Sequence, residues 1–166
     1  TMFSQNTNLL LAFLRDHNTA RSVLDVFNDL YAMFGRETYC RLFPVILTDR
    51  GSEFSNPVPI EQDENDELRS LVFYCNPSVP YQKGGIEVAH ELVRRVLPKG
   101  KSFDDLQQED IDLMLSHINS YKRGKLNSRS AYQLFNFIYG DDILPKLNIR
   151  EIEANDIVLS PKLLKK

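Results

Sequence analysis

The pattern of apolar and polar positions divides the chain into short apolar runs and longer amphipathic segments. Three continuous apolar runs are too short for a typical helix and predict buried strands, at 9–14, 45–47 and 71–75. Apolar residues at helical spacing predict four helices, which begin near Ala20, Ile86, Gln107 and Ser130. The first is predicted to end at Gly35 and the last at Gly140. Candidate capping residues are Asn18 or Thr19 for the first helix, Asp104 or Asp105 for the third and Ser128 or Ser130 for the fourth. Because the predicted strands alternate with helices, the fold class is predicted to be α/β.

Several further features of the pattern carry structural expectations. The segment 149–164 alternates weakly and predicts at most one small strand. His17 and His117 are predicted to be surface or capping groups and not metal ligands. The aromatic residues of two segments are predicted to lie in the core and not to stack on bases; these are Phe73, Tyr74, Phe135, Phe137 and Tyr139.

The composition narrows the class of protein. A chain of 166 residues with 42% hydrophobic and 26% charged residues is typical of one globular domain, which excludes disordered and collagenous chains. No apolar run reaches the roughly 18 residues of a membrane span, and the first residues have no basic segment typical of a signal peptide. Cys40 and Cys75 lack CxxC spacing, so we expect reduced thiols and a cytoplasmic protein.

The net charge of −3 conceals an uneven distribution. Residues 49–67 hold seven acids and one base, whereas residues 83–101 hold five bases and two acids. Residues 122–129 hold four bases and no acid. Local patches set the field that a polyanion meets, so the negative net charge does not exclude nucleic acid. The alternative is that these runs are ordinary solvated faces.

Two carboxylates lie at positions where α/β proteins commonly have their active sites. Asp49 follows an apolar strand at a sharp turn, and Glu87 lies in the first turn of a predicted helix. Carboxylate oxygens with open water positions suit Mg²⁺ or Mn²⁺. The alternative is equally simple: an Asp at a strand end is often a turn residue, and a Glu in a first turn often complements the helix dipole.

Three runs together resemble the catalytic core of bacterial insertion-sequence transposases of the branch numbered thirty, within the DDE transposase and retroviral integrase superfamily. They read FPVILTDRGSEFSNP, FYCNPSVPYQKGGIEVAHELVRRVLPKG and HINSYKRGKLNSRSAYQLF. The resemblance implies a ribonuclease H-like mixed sheet with flanking helices, and DNA integration or transposition by metal-dependent strand cleavage and strand transfer. It matches Asp49 to the second catalytic carboxylate and Glu87 to the third, with Mg²⁺ or Mn²⁺ as cofactor.

The sequence also departs from the family pattern. The family's first catalytic Asp lies on a first strand that this sequence lacks, so we expect the site to be incomplete and the chain alone not to transfer strands. The 37 residues between Asp49 and Glu87 slightly exceed the usual spacing. Arg50 stands where an Asn is common. A missing strand leaves unpaired edges, so we expect a homo-oligomer, a strand supplied from elsewhere or a re-registered sheet.

The resemblance assigns DNA contacts to seven cations, although each could instead lie on a solvated face: Lys83, Arg94, Arg95, Lys122, Arg123, Lys125 and Arg129. Expected partners are therefore DNA, as transposon ends and target, and a second copy of the chain, with no membrane and no small-molecule substrate. We expect a partial catalytic core at 1–140 and an extension at 141–166. The alternative function is a non-catalytic remnant that binds DNA or dimerises with a full-length transposase. For either function we expect a location in the bacterial cytoplasm.

Overall fold

The structure is a computed structural model that describes residues 1–76 and 85–164. Within these ranges the chain forms short strands, α-helices and three-residue 3-10 helices, and it divides into two compact units. One unit comprises Arg15–Gln82, and the other comprises Thr1–Leu14 with Lys83–Lys166. No helix of the described residues is long and apolar enough to cross a membrane. The predicted α/β class is confirmed, with helices in the majority.

The Arg15–Gln82 unit is built on a long helix, α1 (Ala20–Leu42). Thr19 caps it: the Thr19 hydroxyl accepts from the backbone N–H of Ser22 at 3.2 Å, and the Ser22 hydroxyl accepts from that of Thr19 at 3.3 Å. Helical geometry continues past Gly35, where the sequence predicted its end, but φ of +71° there produces a kink. One side of α1 is buried, through Val23, Phe27, Leu30, Phe34 and Tyr39.

A two-stranded parallel sheet completes this unit, together with the short helix α2 (Val58–Glu61). β3 (Val45–Thr48) and β4 (Leu71–Tyr74) pair in register, with Val45 opposite Leu71 and Thr48 opposite Tyr74. The strands lie where the sequence predicted them. Their predicted burial is wrong for one face of the sheet, where the side chains are exposed: Val45, Leu47, Leu71 and Phe73. An apolar run identifies a strand but does not show whether another element covers it.

The other unit begins with an antiparallel hairpin of β1 (Met2–Phe3) and β2 (Leu10–Leu11). The predicted strand at 9–14 is therefore real but shorter. Asn119 is fully buried and clamps the hairpin: its Oδ1 accepts from the Leu10 N–H at 2.9 Å, and its Nδ2 donates to the Leu10 carbonyl at 2.8 Å. This clamp joins the hairpin to helix α4 (Gln108–Ser120), whose capping residue is Gln107 and not the predicted Asp104 or Asp105.

The remaining helices of this unit are α3 (Ile86–Val96), α5 (Ala131–Tyr139) and α6 (Ile143–Lys146). Ser130 caps α5 and Gly140 ends it, as the sequence predicted. The described part of the segment 149–164 contains a 3-10 helix, Ala154–Asp156, and no strand. The hydroxyl of Ser116 on α4 accepts a hydrogen bond from the Arg150 N–H at 3.1 Å, so the segment that follows residue 140 packs on α4. The predicted domain boundary at 140 stays a prediction.

Three expectations for single side chains are wrong, and the free cysteines are as expected. Phe73 and Phe137 are exposed instead of core residues. His117 is buried instead of exposed, and its Nδ1 accepts a hydrogen bond from the Val158 N–H at 3.1 Å. Both cysteines are free thiols, with Cys75 buried. These errors share a cause, since periodicity gives the type of an element but not the neighbours of each face.

Candidate functional site

Asp49 lies directly after β3, at a strand end that is firmly held. The carbonyl of buried Thr48 accepts a hydrogen bond from the Cys75 N–H at 2.8 Å, which extends the ladder to the last residue of the strand. The turn that follows is tied to β4, since the Tyr74 hydroxyl donates to the Phe54 carbonyl. Asp49 itself is exposed. The structure therefore places this carboxylate at the end of an ordered strand, as the sequence predicted.

Glu87 lies in the first turn of α3 and is exposed. The helix starts at Gly85, whose φ is +94°, a conformation that favours glycine. A Cβ at Gly85 would lie 2.7 Å from Cε1 of Phe3, so the hairpin residue packs closely against the start of α3. The opposite side of the helix is buried, through Ala89, Leu92 and Val96. The start of the helix is therefore held in place by packing, and the side chain of Glu87 is open to solvent.

Arg94 and Arg95, two of the predicted DNA contacts, lie on the same face of α3 as Glu87. Glu91, Arg94 and Arg95 are exposed like Glu87, and no ion pair joins Glu91 to Arg95 within the described part of the chain. His90 is partly buried; its Nε2 lies 2.9 Å from the Thr1 hydroxyl in a hydrogen bond. Burial lowers the pKa of His90, so the ring is mostly neutral at pH 7. The face thus offers two cations for contact with an anion.

Asp49 and Glu87 belong to different compact units. Their oxygens are the donor type that Mg²⁺ and Mn²⁺ prefer. Among residues 1–76 and 85–164, no three side chains of His, Cys, Asp or Glu form a group able to hold a metal ion. The donor chemistry fits a divalent ion, but the described residues supply no complete set of ligands around one.

The four predicted cations of residues 122–129 lie on one closed loop, which we call the basic loop. Its ends pair with each other, since the Arg123 N–H donates to the Arg129 carbonyl at 3.1 Å. Inside it, a 3-10 helix is followed by Asn127 and Ser128, both in the left-handed region with φ of 52° and 61°. Lys122, Lys125 and Arg129 are exposed; because the closed backbone fixes their stems, three cations share a small area.

Arg123 differs from its neighbours in the basic loop. Its Nε and Nη2 are buried and have no hydrogen-bond partner, and burial lowers the pKa of its guanidinium. An arginine remains charged in proteins despite such a shift. Arg123 therefore adds positive potential from below the loop surface. Of the loop's cations, only the exposed Lys122, Lys125 and Arg129 are placed to contact a phosphate directly. Lys83, the remaining predicted contact, lies outside the described residues.

One feature beside the basic loop was not predicted. Phe137 on α5 is 79% exposed, and the guanidinium carbon of Arg129 lies 5.9 Å from the centre of its ring. The basic loop therefore ends against an open aromatic surface. The sequence signal for this surface is weak, because seven of the nine residues of α5 are apolar or aromatic.

Comparison with known proteins identifies three relatives. The open-reading-frame-3 protein of Spiroplasma virus SpV1-R8A2 B, which is named as an integrase, is 28% identical over 134 residues, or 81% of this chain and 39% of the viral protein. The transposase for insertion sequence element IS1086 of Cupriavidus metallidurans is 35% identical over 63 residues, covering 38% of this chain and 19% of the transposase. The transposase for insertion sequence element IS4351 of Bacteroides fragilis is 27% identical over 57% of this chain and 28% of its own length.

These relatives confirm the resemblance to transposases and integrases. The chain spans about two fifths or less of the length of each relative. No protein-family model matches the chain, and no solved structure matches it. The branch within the superfamily, the missing first strand and the role of each site residue stay predictions.

Proposed function

Because the chain is related to insertion-sequence transposases and integrases, we propose that it takes part in DNA transposition or integration. The observation that carries this proposal is the match to a protein named as an integrase over 81% of the chain. The basic loop, with three exposed cations and no acid, gives a surface suited to a polyanion. DNA, as transposon ends and target, is the partner proposed on this basis.

The finer proposal is a ribonuclease H-like catalytic core in which Asp49 and Glu87 are two of the catalytic carboxylates. Their placement supports it, since one follows a strand end and the other begins a helix. A bound divalent ion would activate an attacking hydroxyl and stabilise the leaving oxygen of a phosphodiester. The chain's own part is to hold the two carboxylates on ordered elements and to position DNA phosphates with nearby cations.

The alternative is a remnant that binds DNA or dimerises with a full-length transposase but does not cut. One observation favours it: in the part of the chain that the structure describes, no three side chains of His, Cys, Asp or Glu form a group able to hold a metal ion. Two carboxylates hold two divalent ions weakly, so we expect no strand transfer by the 166-residue chain alone. Metal-dependent nicking of terminal-repeat DNA by this chain would contradict that expectation. Loss of the nicking in both Asp49→Asn and Glu87→Gln, but not in Glu91→Gln, would then establish the carboxylates as catalytic.

DNA binding by the basic loop is tested by the salt dependence of affinity. Each phosphate contact contributes a slope of about −0.9 in a plot of log affinity against log salt concentration. The double variant Lys122→Ala/Lys125→Ala should therefore bind duplex DNA more weakly, and its slope should be less negative than that of the wild type by about 2. Lys146→Ala, an exposed lysine of α6, is the matched control and should change neither quantity.

Fluorescence anisotropy of a labelled duplex measures both quantities over a range of sodium chloride concentrations. An affinity that does not change with salt would refute DNA binding through this surface. Equal effects of the double variant and of Lys146→Ala would show that net charge, and not the basic loop, determines binding.

A further inference from the structure

Phe137 presents an open aromatic ring on α5. Neighbouring aromatic residues of α5 are accommodated, since Phe135 is buried and its ring lies 4.8 Å from that of Tyr139. Phe137 instead exposes 79% of its surface, and its contact with the guanidinium of Arg129 occupies only part of it. A large exposed aromatic group next to cations is a common feature of surfaces that bind single-stranded nucleic acid.

From this arrangement we propose that Phe137 and Arg129 form a platform on which an unpaired nucleobase of a DNA end stacks. The proposal deepens the DNA-binding function above and rests on it. The ring supplies a flat apolar face for the base, and the exposed cations Lys122, Lys125 and Arg129 supply the charge for the phosphates that flank it.

Charge favours DNA over a protein as the occupant. Arginine and aromatic residues are enriched in the cores of protein interfaces, but lysine is depleted there, so the neighbouring Lys122 and Lys125 decide between the two occupants. Here the ring adjoins a loop with four basic residues and no acid. Two acids, Asp141 and Asp142, follow the end of α5, so the phosphates belong on the side of the basic loop and the base on the ring.

The base must be unpaired because a base within a duplex already has both faces stacked on its neighbours. Only a frayed, overhanging or extruded nucleotide offers a free face. The platform therefore distinguishes an opened DNA end from intact duplex, whereas the cations of the basic loop bind both.

Affinities for three DNAs test the proposal. They are a blunt duplex, the same duplex with a short single-stranded overhang, and that overhang with abasic nucleotides, which keeps the phosphates but removes the bases. Phe137→Ala should lower affinity for the overhang DNA by about 5- to 150-fold, the effect of losing one base–aromatic stack. It should leave affinity for the blunt and abasic DNAs unchanged.

Two further variants separate stacking from apolar contact. Phe137→Leu keeps an apolar side chain without a π face and should behave like Phe137→Ala. Phe137→Trp should keep the affinity for the overhang DNA. Because the chain contains no tryptophan, this variant also carries a unique reporter. Its fluorescence should be quenched by the overhang DNA but not by the blunt or abasic DNA, and Phe103→Trp, another exposed phenylalanine, should show no such difference.

Two outcomes would overturn the platform alone. In the first, the wild-type chain binds DNA but Phe137→Ala affects all three DNAs equally or none of them. In the second, Phe137→Leu retains full affinity for the overhang DNA, which would identify the ring as a general apolar contact. If the wild-type chain binds none of the three DNAs, the proposed function and the platform both fail.

Discussion

The clamp between Asn119 and Leu10 gives the sharpest test of how the hairpin is held. Replacing Asn119 by Ala removes two hydrogen bonds of 2.9 and 2.8 Å and leaves the buried N–H and carbonyl of Leu10 without partners. Each buried group left unsatisfied costs about 1–3 kcal/mol. We therefore expect Asn119→Ala to lower the free energy of unfolding by about 2–6 kcal/mol, a large part of a typical total of about 5–15 kcal/mol.

Urea unfolding followed by circular dichroism measures this loss, and hydrogen exchange of the Leu10 amide reports the same contact locally. Asn136→Ala is the matched control in the same unit, since Oδ1 of Asn136 is buried without a partner and its removal breaks no hydrogen bond through that atom. The reasoning would be refuted if Asn119→Ala were as stable as wild type and the Leu10 amide remained protected.

A second variant at the same position tests the role of the donor. Asn119→Asp keeps an acceptor for the Leu10 N–H but turns a carboxylate oxygen towards the Leu10 carbonyl. The variant should be less stable than wild type at pH 7. Its deficit should shrink as the pH falls, because a protonated carboxyl group regains a donor. A deficit that grows in acid relative to wild type would contradict this assignment.

Three further predictions concern other parts of the fold. Gly85→Ala should be more destabilising than Gly100→Ala, because both glycines have positive φ but only at Gly85 does a Cβ clash with Phe3. Equal decreases in the thermal unfolding temperature of the two variants would exclude that contact. Burial lowers the pKa of His117, so folding should weaken as pH falls below about 6.5, and the unfolding free energy of His117→Asn should depend less on pH there. Arg69 is buried and donates to two backbone carbonyls, so Arg69→Met should cost about 2–6 kcal/mol in urea unfolding, and a neutral result would refute a structural role.

The elements that the sequence predicted well are those determined by local signals. The start of α5 at Ser130 and its end at Gly140 follow from a side-chain cap and a left-handed residue, both within one turn of the helix end. Gly35 shows the limit of such signals. It has the positive φ of a helix end, yet the chain resumes helical geometry beyond it, where the distant packing of Tyr39 in the core holds the second segment.

The candidate site was predictable in part for the same reason. The positions of Asp49 after a strand and Glu87 at a helix start depend on neighbouring residues and follow from the sequence. The closure of the basic loop depends on Asn127 and Ser128 in the left-handed region, of which only the Asn is a usual signal. The exposure of Phe137 depends on which side of α5 meets the rest of the unit, and a helix in which seven of nine residues are apolar or aromatic does not reveal it.

The division into two units gives each candidate carboxylate a different electrostatic environment. The Arg15–Gln82 unit carries eleven acidic and six basic residues, a net charge of −5, whereas the other unit carries twelve acidic and fourteen basic residues, a net charge of +2. In the proposed DNA-binding function, the basic loop thus belongs to the net positive unit together with Glu87, whereas Asp49 belongs to the net negative unit. If the chain binds DNA as proposed, added salt should weaken both the attraction to the positive unit and the repulsion from the negative unit, so the two effects partly cancel in the affinity of the whole chain.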